Sequence, residues 1–244
     1  MTKLWMGVLG FATALTACGQ ELPEDGGDEP GTLQAEARVC AGTNKVYGID
    51  VSYYQGTIDW AKVKAAGKQF AIVRVSDGTG FLDPKFAANW KGAKAAGLVV
   101  GAYQFFRPGT DATAQADLMV KQLKSVGFAA GDIPPVIDVE VADGVSAANI
   151  AARVNTWLQR VKSQTGRLPS LYTSPGFWSG IGNPTPSPLP YIWDAHWGVT
   201  CPTLPPAWGR LRFWQYADDG KVNGISGNVD LDMYNGTLAE LKAL

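Results

Sequence analysis

Histidine is almost missing from this chain: His196 is the only one in 244 residues. That argues against a histidine-built metal centre and leaves any Ser-His-Asp triad resting on one residue. His196 stands next to Trp197, a setting that reads as structural. Cysteine is scarce too, with only Cys18, Cys40 and Cys201, so no Cys/His cluster exists. No GxGxxG follows the first apolar strand, which removes the sequence support for dinucleotide binding. No dense basic stretch is present, and nucleic acid is excluded as a partner on that ground. Internal repeats are absent. The one long apolar run, Leu4 to Ala17, is too short to span a membrane as a mature helix.

That run has another meaning. A short basic start at Lys3, then the apolar run, reads as a signal peptide over residues 1–17. Leu15-Thr16-Ala17-Cys18 looks like a bacterial lipobox, in which the Cys is lipidated and becomes the mature N-terminus. Cys18 is therefore the expected lipidation site, and the protein an exported, membrane-anchored lipoprotein of the bacterial cell envelope or one secreted from it. An ordinary signal peptide with a chance Cys is the competing reading. The segment after Cys18 is rich in Gly, Pro and acid, and residues 18–45 are expected to form a disordered tether. Cys40 and Cys201 then remain. Export favours their oxidation, and a bridge between them would pin the start of the domain to its end; two free thiols are the alternative.

The net charge of −1 hides an asymmetry. Residues 1–39 hold two basic residues against six acidic ones; the rest holds 19 against 16. A mildly basic domain is compatible with an anionic polymer substrate. Hydrophobic residues make up 46% of the chain, enough for one sizeable core in a single domain. Nine Trp, eight Tyr and nine Phe suit either a ring-binding surface or core packing.

From residue 46 to 244 the chain alternates. Strands are expected at 47–52, 70–76, 98–106, 134–140 and 169–174. Four are followed by helical segments that end at Gly67, Gly97, Gly127 and Gly166, and the fifth by a short helical turn. Three further strands, 190–197, 211–217 and 228–234, have Pro- and Gly-rich connections without room for full helices. Strand-helix repetition implies parallel strands with right-handed crossovers. The expected fold is α/β: a single closed β/α barrel of five βα units followed by three strands nearly without helices. An open doubly wound sheet is the competing architecture.

The strand IPPVIDVEV (133–141) carries Asp138 and Glu140 in an otherwise apolar run. Burying an unpaired carboxylate is costly. Alternation puts Ile137, Val139 and Val141 on one face and Val136, Asp138 and Glu140 on the other, toward the barrel axis. In the first strand Gly48, Asp50 and Ser52 share the inward face; in the last, Asp230 and Asp232 do. Three strand ends are thus expected to aim acids at one mouth, where such barrels place their chemistry. Clustered carboxylates in an aromatic-lined mouth suit glycoside hydrolysis, since mutual repulsion keeps one of them protonated as a general acid. Glu140, the longer side chain at the strand's end, is the expected acid. An all-carboxylate metal site and a purely structural acid cluster remain open.

Five stretches extend this reading: YGIDVSYYQGTIDWAKVKAAG, GAYQFFRPGTDATAQAD, PPVIDVE, LYTSPGFW and FWQYADDGKVNGISGNVDLDMYNG. In order along residues 46–240, they resemble glycoside hydrolase family 25, the lysozymes (N-acetylmuramidases) that cleave peptidoglycan. The resemblance implies a barrel of five βα units and three further strands, and peptidoglycan as the partner of a monomeric enzyme. It implies Glu140 as general acid/base, Asp138 as its partner carboxylate, and Asp50 and Asp230 as supporting acids. Tyr103, Tyr172, Trp214 and Gln215 fall in motifs that line the family's groove. It favours substrate-assisted retention, with the muramic N-acetyl oxygen as nucleophile; direct carboxylate attack is the runner-up. No metal and no organic cofactor is needed. Three positions depart from the family pattern and are expected to tune the groove: Gln104 where His is often found, Arg74 where Lys is common, and Asp194 where an apolar residue is usual. A chitinase-like glycosidase and a non-catalytic wall-binding lipoprotein are the other functions these residues admit.

Overall fold

The computed structural model describes residues 36–244. The proposed signal peptide, Cys18 and most of the tether lie outside the described residues. The elements run β1 (Ala37–Arg38), β2 (Lys45–Val51), α1 (Trp60–Ala65), β3 (Phe70–Asp77), β4 (Phe81–Leu82), α2 (Phe86–Ala95), β5 (Val99–Phe105) and α3 (Ala112–Ser125). They continue with β6 (Val136–Asp138), α4 (Ala147–Thr165), β7 (Ser170–Thr173), α5 (Pro175–Gly180), β8 (Tyr191–Ala195), β9 (Thr203–Leu204), β10 (Phe213–Gly220), β11 (Val229–Asn235) and α6 (Leu238–Lys242).

Eight of the strands close a barrel in the order β2-β11-β10-β8-β7-β6-β5-β3, with β3 pairing back to β2. The expected barrel, five βα units followed by three strands with only the short α6 after the last, is what the chain forms. The closed ring excludes the open doubly wound sheet. Neighbours are parallel from β2 through β10, and β11 is antiparallel to both β10 and β2. Parallel strands need a crossover of a dozen or more residues, and only residues 221–228 separate β10 from β11, so the chain returns antiparallel.

The helices follow from spacing and caps. In α4 the buried residues Ile150, Val154, Trp157, Leu158 and Val161 recur at one helical face. Asp59 and Asp111 cap α1 and α3, accepting from Lys62 N at 3.1 Å and Ala114 N at 2.7 Å. The glycines that end the first four helices all have positive φ, between 69° and 85°.

Two apolar layers result. Outward side chains such as Ile49, Val73, Ile137 and Leu171 pack with Trp90, Met119, Leu123 and Trp157 from the helices. Inside the barrel, Phe70, Ile72, Val99, Val136, Phe213 and Tyr234 fill the lower half. Gly48 makes room for this plug, because a Cβ there would stand 2.4 Å from the Phe70 ring.

The expected tether boundary at residue 45 is corrected. Ala37–Arg38 pairs with Thr203–Leu204, and Cys40 is bonded to Cys201 with Cα atoms 4.5 Å apart. Gly42 N also donates to Asn235 at 2.8 Å. Backbone pairing that begins at Ala37 overrides the polar composition of the segment. A bridge across 161 residues constrains the unfolded chain and contributes about 2–5 kcal/mol.

Candidate active site

The parallel strands end at one rim of the barrel, and a cavity of about 380 Å³ opens there. Asp50, Asp138, Glu140 and Asp230 all line it. Asp138 is the last residue of β6 and Glu140 follows two positions later, beyond the strand. Asp230 pairs directly with Asp50 across the β11–β2 ladder. Asp230 is the second residue of β11 and reaches the same rim because β11 runs the other way; the expectation that Asp232 shares the mouth is corrected. Asp232 lies deeper, opposite Gly48, where Trp193 Nε1 donates to it at 2.9 Å.

Burial sets the electrostatics. Asp50 and Asp138 are each 4% exposed, whereas Glu140 is exposed at the mouth. Desolvation is the first cause raising the pKa of Asp138, followed by the charge of Glu140; Arg74 and Arg107 act in the opposite sense. Glu140 is raised as well, because the walls of the mouth crowd its carboxyl and Asp230 repels its ionised form. Burial holds Asp230 at about 6 and Asp232 at about 8, and pushes Asp50 well above the usual carboxylate range. Every member of the cluster is thus shifted above its ordinary value, the direction a general acid requires. Among the described residues no group of three or more His, Cys, Asp or Glu is arranged to hold a metal ion.

The model of glycosyl hydrolases family 25 matches residues 49–225. The chain belongs to that family. Lysozyme M1 of Streptomyces globisporus is 38% identical to it over 214 residues, 84% of this chain and 72% of that protein. The N,O-diacetylmuramidase of Chalaropsis sp is 32% identical over 205 residues, 76% of this chain and 96% of that protein. Among solved structures, the bacterial lysozyme from Streptomyces coelicolor superposes with a TM-score of 0.75 at 36% identity, covering 83% of this chain and 98% of that one. The protein is accordingly a glycoside hydrolase.

The remaining groove residues of this family 25 hydrolase divide by strand parity. Tyr103, Tyr172 and Gln215 line the cavity. Gln215 is a hub: its Oε1 accepts from Tyr172 OH at 2.9 Å and Trp197 Nε1 at 3.0 Å, which turns its amide nitrogen to donate to Asp50 Oδ2 at 2.7 Å. Trp214 does not line the cavity. It precedes Gln215 in β10, so it faces outward, where its Nε1 donates to His196 O at 2.8 Å. Two of the three departures also lie outside the groove they were expected to tune. Gln104 points away from the axis, donating to Ser76 Oγ at 2.9 Å and accepting from Trp157 Nε1 at 2.7 Å. Asp194 follows the inward Trp193 and is fully buried on the outer side, held at about 8 by burial and then by the charge of Glu36. Arg74 does line the cavity, with Nε donating to Asp83 at 3.1 Å. His196 Nδ1 accepts from Thr203 N at 3.1 Å, a structural bond.

Some lining residues had escaped the sequence reading. Trp193 was legible from parity alone. Asp77 was not: a register shift in β3 between Arg74 and Ser76 turns it inward. There it receives two hydrogen bonds from Arg107, one at 2.8 Å from Nη2 to Oδ2. Arg107 lies in the loop after β5, where alternation carries no information.

Proposed function

We propose that this glycoside hydrolase is a muramidase that cleaves the β-1,4 bond between N-acetylmuramic acid and N-acetylglucosamine in peptidoglycan, with Glu140 as general acid/base. The observation that carries the assignment is the contrast within the acid cluster: Glu140 is exposed at the mouth with a raised pKa, while Asp50, Asp138 and Asp232 are buried. A polymer crossing the mouth meets Glu140 first.

Glu140 protonates the leaving glycosidic oxygen. The substrate's own N-acetyl oxygen attacks the anomeric carbon from the opposite side. Asp138 accepts from the N-acetyl N–H and stabilises the positive charge that develops on that nitrogen. Its Oδ1 has no hydrogen-bond partner among the described residues, so an acceptor is held ready beside the acid. Arg74 and Arg107 favour the ionised form of Asp138, against burial and the charge of Glu140, which raise its pKa. Glu140 then takes a proton from a water that attacks the anomeric carbon and displaces the N-acetyl oxygen, and the two inversions leave the product in the β configuration. Asp230 supports the acid by keeping its pKa up, and Asp50 is held by Gln215. Tyr103 and Tyr172 contact the sugar from the walls.

Two measurements test this. Proton NMR of the first-formed anomer on purified peptidoglycan strands must show retention, and mass spectrometry with a fluorinated-sugar trap must find no glycosyl adduct on Asp138. An inverted product or such an adduct overturns substrate assistance. Hydrolysis of chitin without hydrolysis of peptidoglycan points to a chitinase, and binding without hydrolysis to a wall-binding protein.

The location follows from the N-terminal segment. Residues 1–17 act as a signal peptide, and lipid on Cys18 anchors a monomer whose residues from 36 onward form the enzyme domain. Radiolabelled palmitate should enter the wild-type chain and not Cys18→Ser. A mature N-terminus other than Cys18 overturns the anchor.

A further inference from the structure

The cavity holds about 380 Å³ and the proposed substrate is a polymer, so sugars must also rest on surfaces around the mouth. Two exposed aromatic groups stand there. Trp197, in the loop after β8, is 47% exposed, although its indole Nε1 is fixed by Gln215 Oε1 at 3.0 Å. With its polar edge tied inward, the ring leaves an apolar face to solvent. Tyr54 follows β2 in a tight turn and is 72% exposed while lining the cavity. That turn is fixed by Ser52 and Gln55, which cap it reciprocally, and by the guanidinium of Arg74, 5.4 Å from the Tyr54 ring. Tyr53 packs against Tyr54 at 4.2 Å and Phe81 at 5.3 Å, which widens the surface on this side.

Strands β2 and β8 are not neighbours in the barrel: β11 and β10 lie between them one way, and β3, β5, β6 and β7 the other. The two aromatic groups therefore stand at separate points of the rim that carries the acids. We propose that Trp197 is a sugar-stacking platform that positions the glycan strand on one side of the scissile bond, with Tyr54 as its counterpart across the mouth. Sugar rings present apolar C–H faces, and a ring fixed in place before binding loses little entropy on contact. Trp197 is a positioning residue here, since it reaches the acids only through Gln215 and Asp50. This rests on the muramidase reading above.

The test uses Glu140→Gln protein, so that strands bind without turnover, and peptide-free strands of alternating β-1,4-linked N-acetylglucosamine and N-acetylmuramic acid. Calorimetry compares an eight-sugar strand with the disaccharide. Adding Trp197→Ala should weaken the eight-sugar strand about tenfold, which is about 1.4 kcal/mol, and the disaccharide much less. Trp197→Phe keeps the face and loses the hydrogen bond, so it should stay within about threefold. In protein with Glu140 intact, Trp197→Ala should raise KM on long strands more than it lowers kcat. Equal losses for Ala and Phe would show that the bond to Gln215 matters and the ring face does not. No loss for either also overturns the platform. If protein with Glu140 intact cleaves the strands while Trp197→Ala leaves binding untouched, only this inference falls; if it neither binds nor cleaves them, the muramidase reading falls with it.

Discussion

The mouth and the floor of the barrel are built by the same strands. Along β3 the inward side chains run Phe70, Ile72, Arg74; along β5, Val99, Gly101, Tyr103; along β2, Val46, Gly48, Asp50. Each begins apolar and ends polar. In β11 the order is reversed, Asp230, Asp232, Tyr234, because that strand runs antiparallel. The gradient thus belongs to the position in the barrel and not to the direction of the chain. Its cause is solvation. A carboxylate at the floor would have neither water nor a partner, whereas at the mouth it meets water, two arginines and the substrate. Asp232 marks the boundary: it is fully buried, and burial holds its pKa at about 8.

The sharpest break between the two ends is expected at Glu140. Glu140→Gln should leave the circular dichroism and melting curve intact and lower kcat by about 10²–10⁴, the usual contribution of general acid catalysis. Near wild-type lysis by the folded variant would remove Glu140 from the mechanism. At the floor the effect should be the opposite in kind. Phe70→Ala removes a fully buried ring from the plug and should cost about 3–5 kcal/mol in urea denaturation, with activity per folded molecule retained. A variant as stable as wild type would show that the floor is not packed as described.

Asp194 separates burial from catalysis, being a buried acid outside the cavity. Its folded pKa of about 8 lies above the unfolded value of about 3.9. The folded chain therefore holds the proton more tightly, and stability is full below about pH 4 and lost as pH rises toward 8. The slope is at most about 1.4 kcal/mol per pH unit for this one group. Asp194→Asn should flatten it by that amount and preserve activity; an unchanged pH dependence of unfolding would contradict the assignment. The smallest effect is expected at Asp230. Because its charge helps to raise Glu140, Asp230→Asn lowers the pKa of the acid, and the alkaline limb of the kcat/KM profile should move to lower pH. A limb that stays in place or moves to higher pH would mean that the two carboxylates are not coupled.

The sequence by itself determined a good deal. Strand-helix rhythm fixed the five βα units, glycines with positive φ ended the helices, and alternation aimed Asp50 and Asp138 inward, because these are properties of neighbouring residues. The same parity already forbids Trp214 and Gln215 from facing the cavity together. It likewise turns Gln104 and Asp194 away once Tyr103 and Trp193 face in, so those corrections were legible at the level of single strands. Tertiary structure alone decided the rest. Which partners β11 pairs with, and in which direction, places Asp230 beside Asp50 across 180 residues of chain. A register shift in β3 turns Asp77 inward, and a loop brings Arg107 to it. The segment from Ala37 reads as linker until Thr203 and Cys201 meet it. Local periodicity encodes which face a side chain takes, but pairing between distant strands is a contest among non-local contacts, and no window of the sequence contains both partners.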